Sequence, residues 1–482
     1  MFVPSPRQSA IFDAAHTPDH LLIQACAGSG KTTTLVELTK QYPTSVSILA
    51  LAFNKSIATE LQNRMPRHVQ SKTMHSVGMS AVTKNLGRIS LDDKKLRRIC
   101  ETIALHEVSS KDVESVVSDL LAAVPLTMEC MLDPTDIDRI MGHCASCGRS
   151  LDLPDTSVPL ISRVIEENDK CENVMSFTDM LRWPIVKGFA LPRFDVVLVD
   201  EAQDLNAVQH EFLKRVVRRK LIAVGDRAQA IYGFRGADPK SMDRLKSDWD
   251  MTELPLDVSY RCPQKVVALA KEVVGELIQP HQNAEEGEVV HVDDQHKHET
   301  QEALYPGCMV ICRNNAPLVP WAFSLIRRGK KAVVRGRDIG AGLASLVRRS
   351  KATTVGDVLA FSRERMEADV LKAMKSDKPV EPIQDRHDTL CAIAAECSTV
   401  AEILMRIDTI FSEDVAGIVL STVHKAKGLE ADTVVILGPE ILPAPWAKSD
   451  EARAQEMNLR YVAVTRAKRT LIMQALPKRG ED

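Results

Sequence analysis

The residues that most constrain this chain run from Ala25 to Thr32, in the order Ala25-Cys26-Ala27-Gly28-Ser29-Gly30-Lys31-Thr32. They fit a phosphate-binding loop, G-x-x-x-x-G-K-[ST], with alanine in the first glycine position. The apolar run Leu21–Ala25 precedes them and a helical stretch to about Lys40 follows, the strand-loop-helix setting such a loop needs. Its glycines let backbone N–H groups wrap phosphate oxygens, and the helix N-terminus favours their negative charge. Lys31 is expected to reach the β- and γ-phosphates and the Thr32 hydroxyl to ligate Mg2+. Taken alone, the loop points to a nucleoside triphosphate and says nothing of what its hydrolysis drives.

A second element supplies the other half of that chemistry. Val196-Val197-Leu198-Val199 is an apolar strand that delivers two adjacent carboxylates, Asp200 and Glu201, at its C-terminal end, followed by Ala202-Gln203. Asp200 is placed to bind Mg2+, directly or through water, and Glu201 to activate an attacking water as general base. A solitary Asp-Glu after a strand reads better as a polar turn, but beside a phosphate loop that reading loses.

Between these elements, residues 47–53 read as a buried strand and 54–65 as a helix. This β-turn-α-β-α order predicts a parallel sheet with helical crossovers. From about residue 78 to 171, apolar residues recur at helical spacing and glycine is sparse, which predicts a helical insertion. Strands are expected again at 194–200 and 221–225. A second series follows Tyr260-Arg261-Cys262-Pro263, at 308–312, 331–334, 417–421, 433–437 and 470–473, with a helical stretch from about 340 to 412. The pattern is two α/β units, each interrupted by helices.

Composition narrows the class. Hydrophobic residues make up 44% and charged residues 26%, which excludes a mostly disordered chain. The formal charge of −3 means that any nucleic-acid surface is a local patch. No run approaches the roughly 20 apolar residues of a membrane helix, and the N-terminus lacks a secretory leader, so a cytoplasmic protein is expected. Eleven cysteines, an odd count, read as reduced thiols. Cys144 and Cys147 form one C-x-x-C beside His143, but a structural zinc commonly takes two such pairs. The nearest other thiols, Cys130 and Cys171, supply no second pair, so ordinary thiols are the better reading.

Further blocks follow in a set order. Gln8 lies in Pro6-Arg7-Gln8-Ser9-Ala10-Ile11, and Ala52-Phe53-Asn54-Lys55 and Thr73-Met74-His75-Ser76 come next. After Asp200-Glu201-Ala202-Gln203 come Gly225-Asp226-Arg227-Ala228-Gln229, running on to Phe234-Arg235-Gly236-Ala237, and then Tyr260-Arg261. Thr422-Val423-His424-Lys425-Ala426-Lys427-Gly428-Leu429-Glu430 and Tyr461-Val462-Ala463-Val464-Thr465-Arg466-Ala467 close the series. As a set, from Gln8 to Arg466, they resemble the UvrD/Rep/PcrA-like superfamily 1 DNA helicases. The compact length and the Phe-Asn-Lys block are similar to phage-encoded and F-box-helicase-like members.

The resemblance implies an α/β fold of two RecA-like parallel-sheet domains in tandem, each carrying a mostly helical insertion. Residues 1–77 and 172–256 would form the first domain and 78–171 its insertion; 257–339 and 413–482 would form the second, with 340–412 a short insertion. ATP and Mg2+ are the implied cofactors. Gln8 would read the adenine edge, Tyr260 stack on adenine and Glu430 bond the ribose. Ala25, Gly28, Ser29, Gly30, Lys31, Thr32 and Thr33 would cradle the phosphates, and Thr32 and Asp200 hold Mg2+. Catalysis would fall to Lys31, Asp200, Glu201, Gln229, Arg261 and Arg466. In this scheme Gln229 senses the γ-phosphate, and Arg261 and Arg466 neutralise its developing charge.

Phe53, Asn54, Thr73, His75, Phe234, Arg235, Thr422 and His424 would contact single-stranded DNA, through phosphates and stacked bases. Phe234 stands where tryptophan is common in the family, which implies a weaker stack. Basic pairs at Lys94-Lys95, Arg97-Arg98, Arg327-Arg328, Lys330-Lys331 and Arg348-Arg349 are further candidates for the track, although solvated helix faces suit any one of them equally. The implied activity is ATP-driven movement along single-stranded DNA. The last two blocks favour the 3′→5′ direction, with duplex unwinding in replication, repair or recombination. Single strands and single/double-strand junctions are the expected partners, no membrane is involved, and the protein would act as a monomer in a bacterial or phage-infected cell. The abbreviated second insertion keeps an alternative open: a single-stranded-DNA-stimulated ATPase that displaces bound proteins with little unwinding.

Overall fold

The strand that ends in the phosphate loop, β1 (Leu21–Ala25), is buried along its whole length, as is β2 (Ile48–Ala52). With β3 (Val69–Thr73), β4 (Phe194–Val199), β5 (Val217–Gly225) and β6 (Thr252–Leu256) they form a six-stranded sheet, in the order β3-β2-β4-β5-β1-β6. Every neighbouring pair is parallel, with Leu21 opposite Ile222 on one side and Thr252 on the other. Successive side chains feed opposite faces. Leu21, Ile23, Leu198 and Ile222 join Ile11, Phe12 and Leu35 in one core, while Leu22, Leu51, Val197 and Leu221 join Met74, Phe212 and Leu245 in the other. Helices covering both faces explain why the inner strands are near-continuous apolar runs.

The computed structural model describes residues 2–146, 159–233, 236–375, 380–411 and 417–477. The chain forms two compact units, one holding Met1–Cys26 and Gly30–Asp257, the other Val258–Asp482 together with Ala27–Ser29 at the tip of the phosphate loop. In the first unit, α1 (Pro6–Ala15) starts with a capping box between Ser5 and Gln8, and α2 (Lys31–Thr39) starts at Gly30. α3 (Lys55–Arg64) and α4 (Met74–Leu86) begin at Asn54 and Thr73, whose side chains cap them. The expected helical stretch contains α5 (Lys95–Glu107), α6 (Val113–Glu129), α7 (Ile137–Ser146) and α8 (Pro159–Lys170), which share a core around Leu120, Val124, Ile140 and Ile161. α9 (Phe177–Val186) then leads back to the sheet.

The second unit repeats the theme. β7 (Glu288–Val292), β8 (Met309–Cys312), β9 (Ala332–Val334), β10 (Ile418–Thr422), β11 (Ala431–Leu437) and β12 (Ala467–Gln474) form a parallel sheet in the order β7-β12-β11-β8-β10-β9. Helices Arg337–Ser350, Val355–Lys375, Glu381–Ala394 and Val400–Ile410 fill the stretch expected to be helical. Among the described residues, no helix is long and apolar enough to cross a membrane.

Two of the basic pairs need correction. Lys95 is 1% exposed, bonds Asp179 at 3.0 Å and the Asn168 carbonyl at 2.9 Å, and sits over the Trp183 ring. Lys330 Nζ donates to the carbonyls of Gln301, Glu302 and Leu304. Lys95 is spent on a buried carboxylate and one carbonyl, Lys330 on three carbonyls, and neither is available to a phosphate track. Arg98, Arg327 and Arg328 pair with Asp92, Glu396 and Glu302, whereas Arg348 and Arg349 stand exposed.

Candidate functional site

β1 and β4 bring their functional groups to the carboxyl ends of one parallel sheet, where such sheets bind ligands. Lys31 Nζ lies 3.4 Å from a Glu201 carboxylate oxygen. Burial pulls the Lys31 ammonium down, but Glu201, Asp226 and Asp200 outweigh it and hold the group above its ordinary range. Asp200 is pushed up to about 6, first by burial and then by the Glu201 charge, against Lys31, the Glu201 N–H and the Thr32 hydroxyl bonded to it. Glu201 itself sits at φ 54, a left-handed backbone rare for a residue with a side chain, so its carboxylate is aimed at a local conformational cost.

A side-chain network extends behind the carboxylates. Gln203 Nε2 donates to Glu201, and its Oε1 accepts the Asp226 N–H at 3.0 Å. Asp226, 2% exposed, accepts from Gln229 Nε2 at 2.7 Å and from the Ala228 N–H at 3.1 Å. The structure thus brings Lys31, Asp200, Glu201 and Gln229 together, with Gln203 and Asp226 between them. The latter two lie inside quoted blocks. A Gly-Asp at the end of an apolar strand was the available signal for Asp226.

Gln8 is buried. Its Oε1 accepts the Ser5 N–H at 2.9 Å and its Nε2 donates to Thr34 Oγ1 at 3.0 Å. Thr33 Oγ1 accepts from Arg64 at 3.2 Å. Ala25 closes β1 and is buried. Gly30, at φ 78, turns the chain into α2.

Within the second unit, Ala27–Ser29 meet two of the later blocks. The Ala27 N–H donates to Tyr461 Oη at 2.9 Å, Ser259 Oγ donates to the Ala27 carbonyl at 2.8 Å, and the Tyr260 N–H donates to the Gly28 carbonyl at 2.9 Å. A Cβ on Gly28 would fall 2.5 Å from the Arg261 Cβ, so only glycine fits there. Among the described residues, Ser29 Oγ and Arg261 Nε are buried with no hydrogen-bond partner. Two such orphaned donors suit phosphate oxygens.

Arg261 bonds Glu430 at 2.6 Å, and Lys468 approaches the same carboxylate at 3.2 Å. Burial would raise the Glu430 carboxyl, but Arg261 and Lys468 hold it below its usual range. Arg466 is 1% exposed, its guanidinium donating to the carbonyls of Val462 and Leu429 and to Thr465 Oγ1. The Tyr260 ring is half exposed and 4.8 Å from the His281 ring.

Of the residues expected on DNA, Phe53 is 52% exposed and its ring lies parallel to Tyr232 at 6.3 Å. Tyr232 was not singled out in the sequence, although its place beside the Phe234 block was a cue. His75 meets Phe177 edge-on at 6.2 Å, and burial holds its imidazole below the usual range, so it is neutral. Phe53, His75 and Tyr232 line a cavity of about 300 Å3 that Asp200 and Glu201 also line. Asn54 and Thr73 spend side-chain oxygens on capping. Thr422, buried, and His424 lie in the second unit, at the end of β10 and in the helix that follows it. Phe234, Arg235 and Cys147 lie outside the described residues; Cys144 is buried in the core of α5–α8.

A hard divalent cation suits the pair Thr32–Asp200, a hydroxyl bonded to a buried carboxylate with few other oxygens, which is the sparse protein set Mg2+ takes beside phosphates.

Residues 6–250 match the UvrD/REP helicase N-terminal domain, and residues 381–478 the UvrD-like helicase C-terminal domain. The chain is similar to F-box DNA helicase protein 1 of Schizosaccharomyces pombe, 23% identical over 97% of this chain and 57% of that protein. It is 26% identical to ATP-dependent DNA helicase UvrD1 of Mycobacterium leprae over 56% of this chain and 39% of that protein. It is also 25% identical to ATP-dependent DNA helicase PcrA of Bacillus subtilis, over 54% of this chain and 38% of that protein. The chain therefore spans about two fifths to three fifths of the lengths of these relatives.

Proposed function

The chain belongs to the UvrD/REP helicase family, and from that premise we propose that it hydrolyses ATP to move along single-stranded DNA in the 3′→5′ direction, separating duplex ahead of it. The observation that carries this reading is the Lys31–Glu201 pair at 3.4 Å, in the same unit as the cavity shared by Phe53, His75, Asp200 and Glu201. It supports reading Lys31 as the phosphate-binding cation, Glu201 as the general base, and Phe53 and His75 as aromatic groups of the strand track.

The roles follow from charge. Glu201 is engaged by Lys31 until a triphosphate offers Lys31 a more negative partner. Lys31 then turns to the phosphates, and the freed Glu201 carboxylate takes a proton from the attacking water. Thr32 and Asp200 would hold Mg2+, which would supply neutralising charge at the phosphate oxygens. Arg261 and Arg466 of the second unit neutralise charge on the transferred phosphoryl group. Gln229, tethered by Asp226, registers the γ-phosphate. Asp226 is in turn joined through Gln203 to Glu201, so the loop that follows it senses whether the nucleotide is intact. Gln8 and Tyr260 hold adenine and Glu430 the ribose.

Duplexes with only a 3′ or only a 5′ single-stranded tail test the direction. Opening of the 3′-tailed substrate alone is expected. Exclusive use of the 5′ tail would reverse the assignment. Displacement of a bound protein with neither duplex opened would favour remodelling over unwinding.

A further inference from the structure

Away from these residues, α6 and α7 bring a thiol and an imidazole together. Cys130 caps the C-terminus of α6, and its Sγ lies 2.9 Å from Nε2 of His143 in α7. Both are part-buried. They line a surface cavity of about 500 Å3 together with Arg139, Gly236, Asp238 and Arg244. Met131, at φ 51, ends the helix in a left-handed turn, and the Leu132 N–H returns to the Thr127 carbonyl at 3.0 Å.

A thiol becomes a nucleophile by losing its proton. The C-terminal end of α6 disfavours an anion at Cys130, so an adjacent acceptor has to take that proton. Burial holds the His143 imidazole below its usual range, with Arg139 acting the same way and Asp238 the opposite. The ring is therefore neutral near pH 7 and able to act as base. Arg139 is exposed and can meet an anionic ligand, while Arg244 is ion-paired with Asp238 at 3.8 Å and Asp248 at 3.7 Å, beyond hydrogen-bond distance, and can turn to a closer anion.

We propose that Cys130 is a thiol-modification site, activated by His143, that takes an anionic low-molecular-weight disulfide and through it controls the turn at Gly236. In the reaction Sγ attacks one sulfur of the disulfide while its proton passes to His143 Nε2. The S–S bond breaks, the departing thiolate collects that proton, and Cys130 is left in a mixed disulfide, with the disulfide as the oxidant consumed. The consequence is steric. A Cβ on Gly236 (φ 85) would already lie 3.0 Å from Leu126 and 3.7 Å from Cys130 Sγ, so an adduct on the sulfur displaces this turn or α7. Gly236 lies in the block that contains Gln229, so the adduct is expected to weaken the response of ATP hydrolysis to DNA; this consequence rests on the function proposed above.

The test treats the full chain with oxidised glutathione and follows each cysteine by peptide mass spectrometry. Cys130 is expected to react ahead of Cys171, Cys391 and Cys397, the other part-buried thiols among the described residues. His143→Gln should slow Cys130 alone, by on the order of tenfold. Reaction at Cys130 no faster than at those thiols, or unchanged in His143→Gln, overturns the site. In parallel, treated wild type should lose DNA-stimulated ATP hydrolysis and regain it with a dithiol reductant, while Cys130→Ser keeps it throughout. Full modification of Cys130 with stimulation intact overturns the control of the turn. Absence of DNA stimulation in untreated protein would instead sink the motor function, with the mass readout still deciding the site.

Discussion

Lys31 with Glu201 in the first unit and Arg261 with Glu430 in the second are both cation–carboxylate pairs, at 3.4 and 2.6 Å, yet their surroundings carry opposite charge balances. Lys31 faces Glu201, Asp226 and Asp200, an excess of negative charge that holds its proton firmly and pushes Asp200 up to about 6. Glu430 faces Arg261 and Lys468, an excess of positive charge that holds its carboxyl down. On the proposed reading, a triphosphate would meet an excess of carboxylates around Lys31, which a divalent cation would offset, and an excess of cations around Glu430.

The largest expected effect removes the first cation. Lys31→Ala should cut ATP turnover by on the order of 10³-fold, with and without DNA. Turnover retained and still stimulated by DNA would dissolve the comparison at its root.

Glu201→Gln sharpens it. Turnover should fall by about 10²–10³-fold, while nucleotide affinity, read by equilibrium binding of a fluorescent ATP analogue, holds or tightens because Lys31 has lost its competing partner. Weakened affinity would show that Glu201 serves binding instead of water activation.

The acidity of Asp200 gives a test without chemistry. Its folded carboxyl sits near 6 against 3.8 for the ordinary group, so between those values the folded chain holds a proton that the unfolded chain has released. This contribution to stability is present at low pH and is lost as pH rises through that window. Wild type should therefore lose Tm relative to Asp200→Asn as pH rises there in metal-free buffer, and Mg2+, which binds the anion, should narrow the gap. A gap that ignores both pH and Mg2+ would place Asp200 away from the metal.

The smallest effect belongs to the second pair. If Glu430 bonds the ribose as proposed, Glu430→Ala would remove that hydrogen bond, and KM for ATP should rise by about fivefold with kcat little changed. A collapse of kcat would mean that Glu430 positions Arg261 for catalysis.

What the sequence made legible follows the same physics. The inner strands were readable because burial on both faces demands apolar runs; Leu21–Ala25 and Phe194–Val199 are examples. The edge strands β3, β6 and β7 went unread. Val69-Gln70-Ser71-Lys72-Thr73 alternates buried and exposed, Thr252–Leu256 carries Pro255, which an edge tolerates, and Glu288–Val292 is largely exposed. Lys31, Thr32, Asp200 and Glu201 were legible because each belongs to a contiguous signature. Gln203 and Tyr461 were not, because their roles lie in contacts to residues far along the chain, Asp226 and Ala27. Lys95 and Lys330 looked like phosphate contacts, since composition cannot tell a solvated ammonium from one buried against carbonyls.

The most direct measurement is the steady-state rate of ATP hydrolysis by the purified chain, in Mg2+, with and without a single-stranded oligonucleotide. The strand should raise the rate several-fold in wild type and leave Lys31→Ala silent. A wild-type rate indifferent to the strand would contradict a motor that couples its phosphate site to DNA.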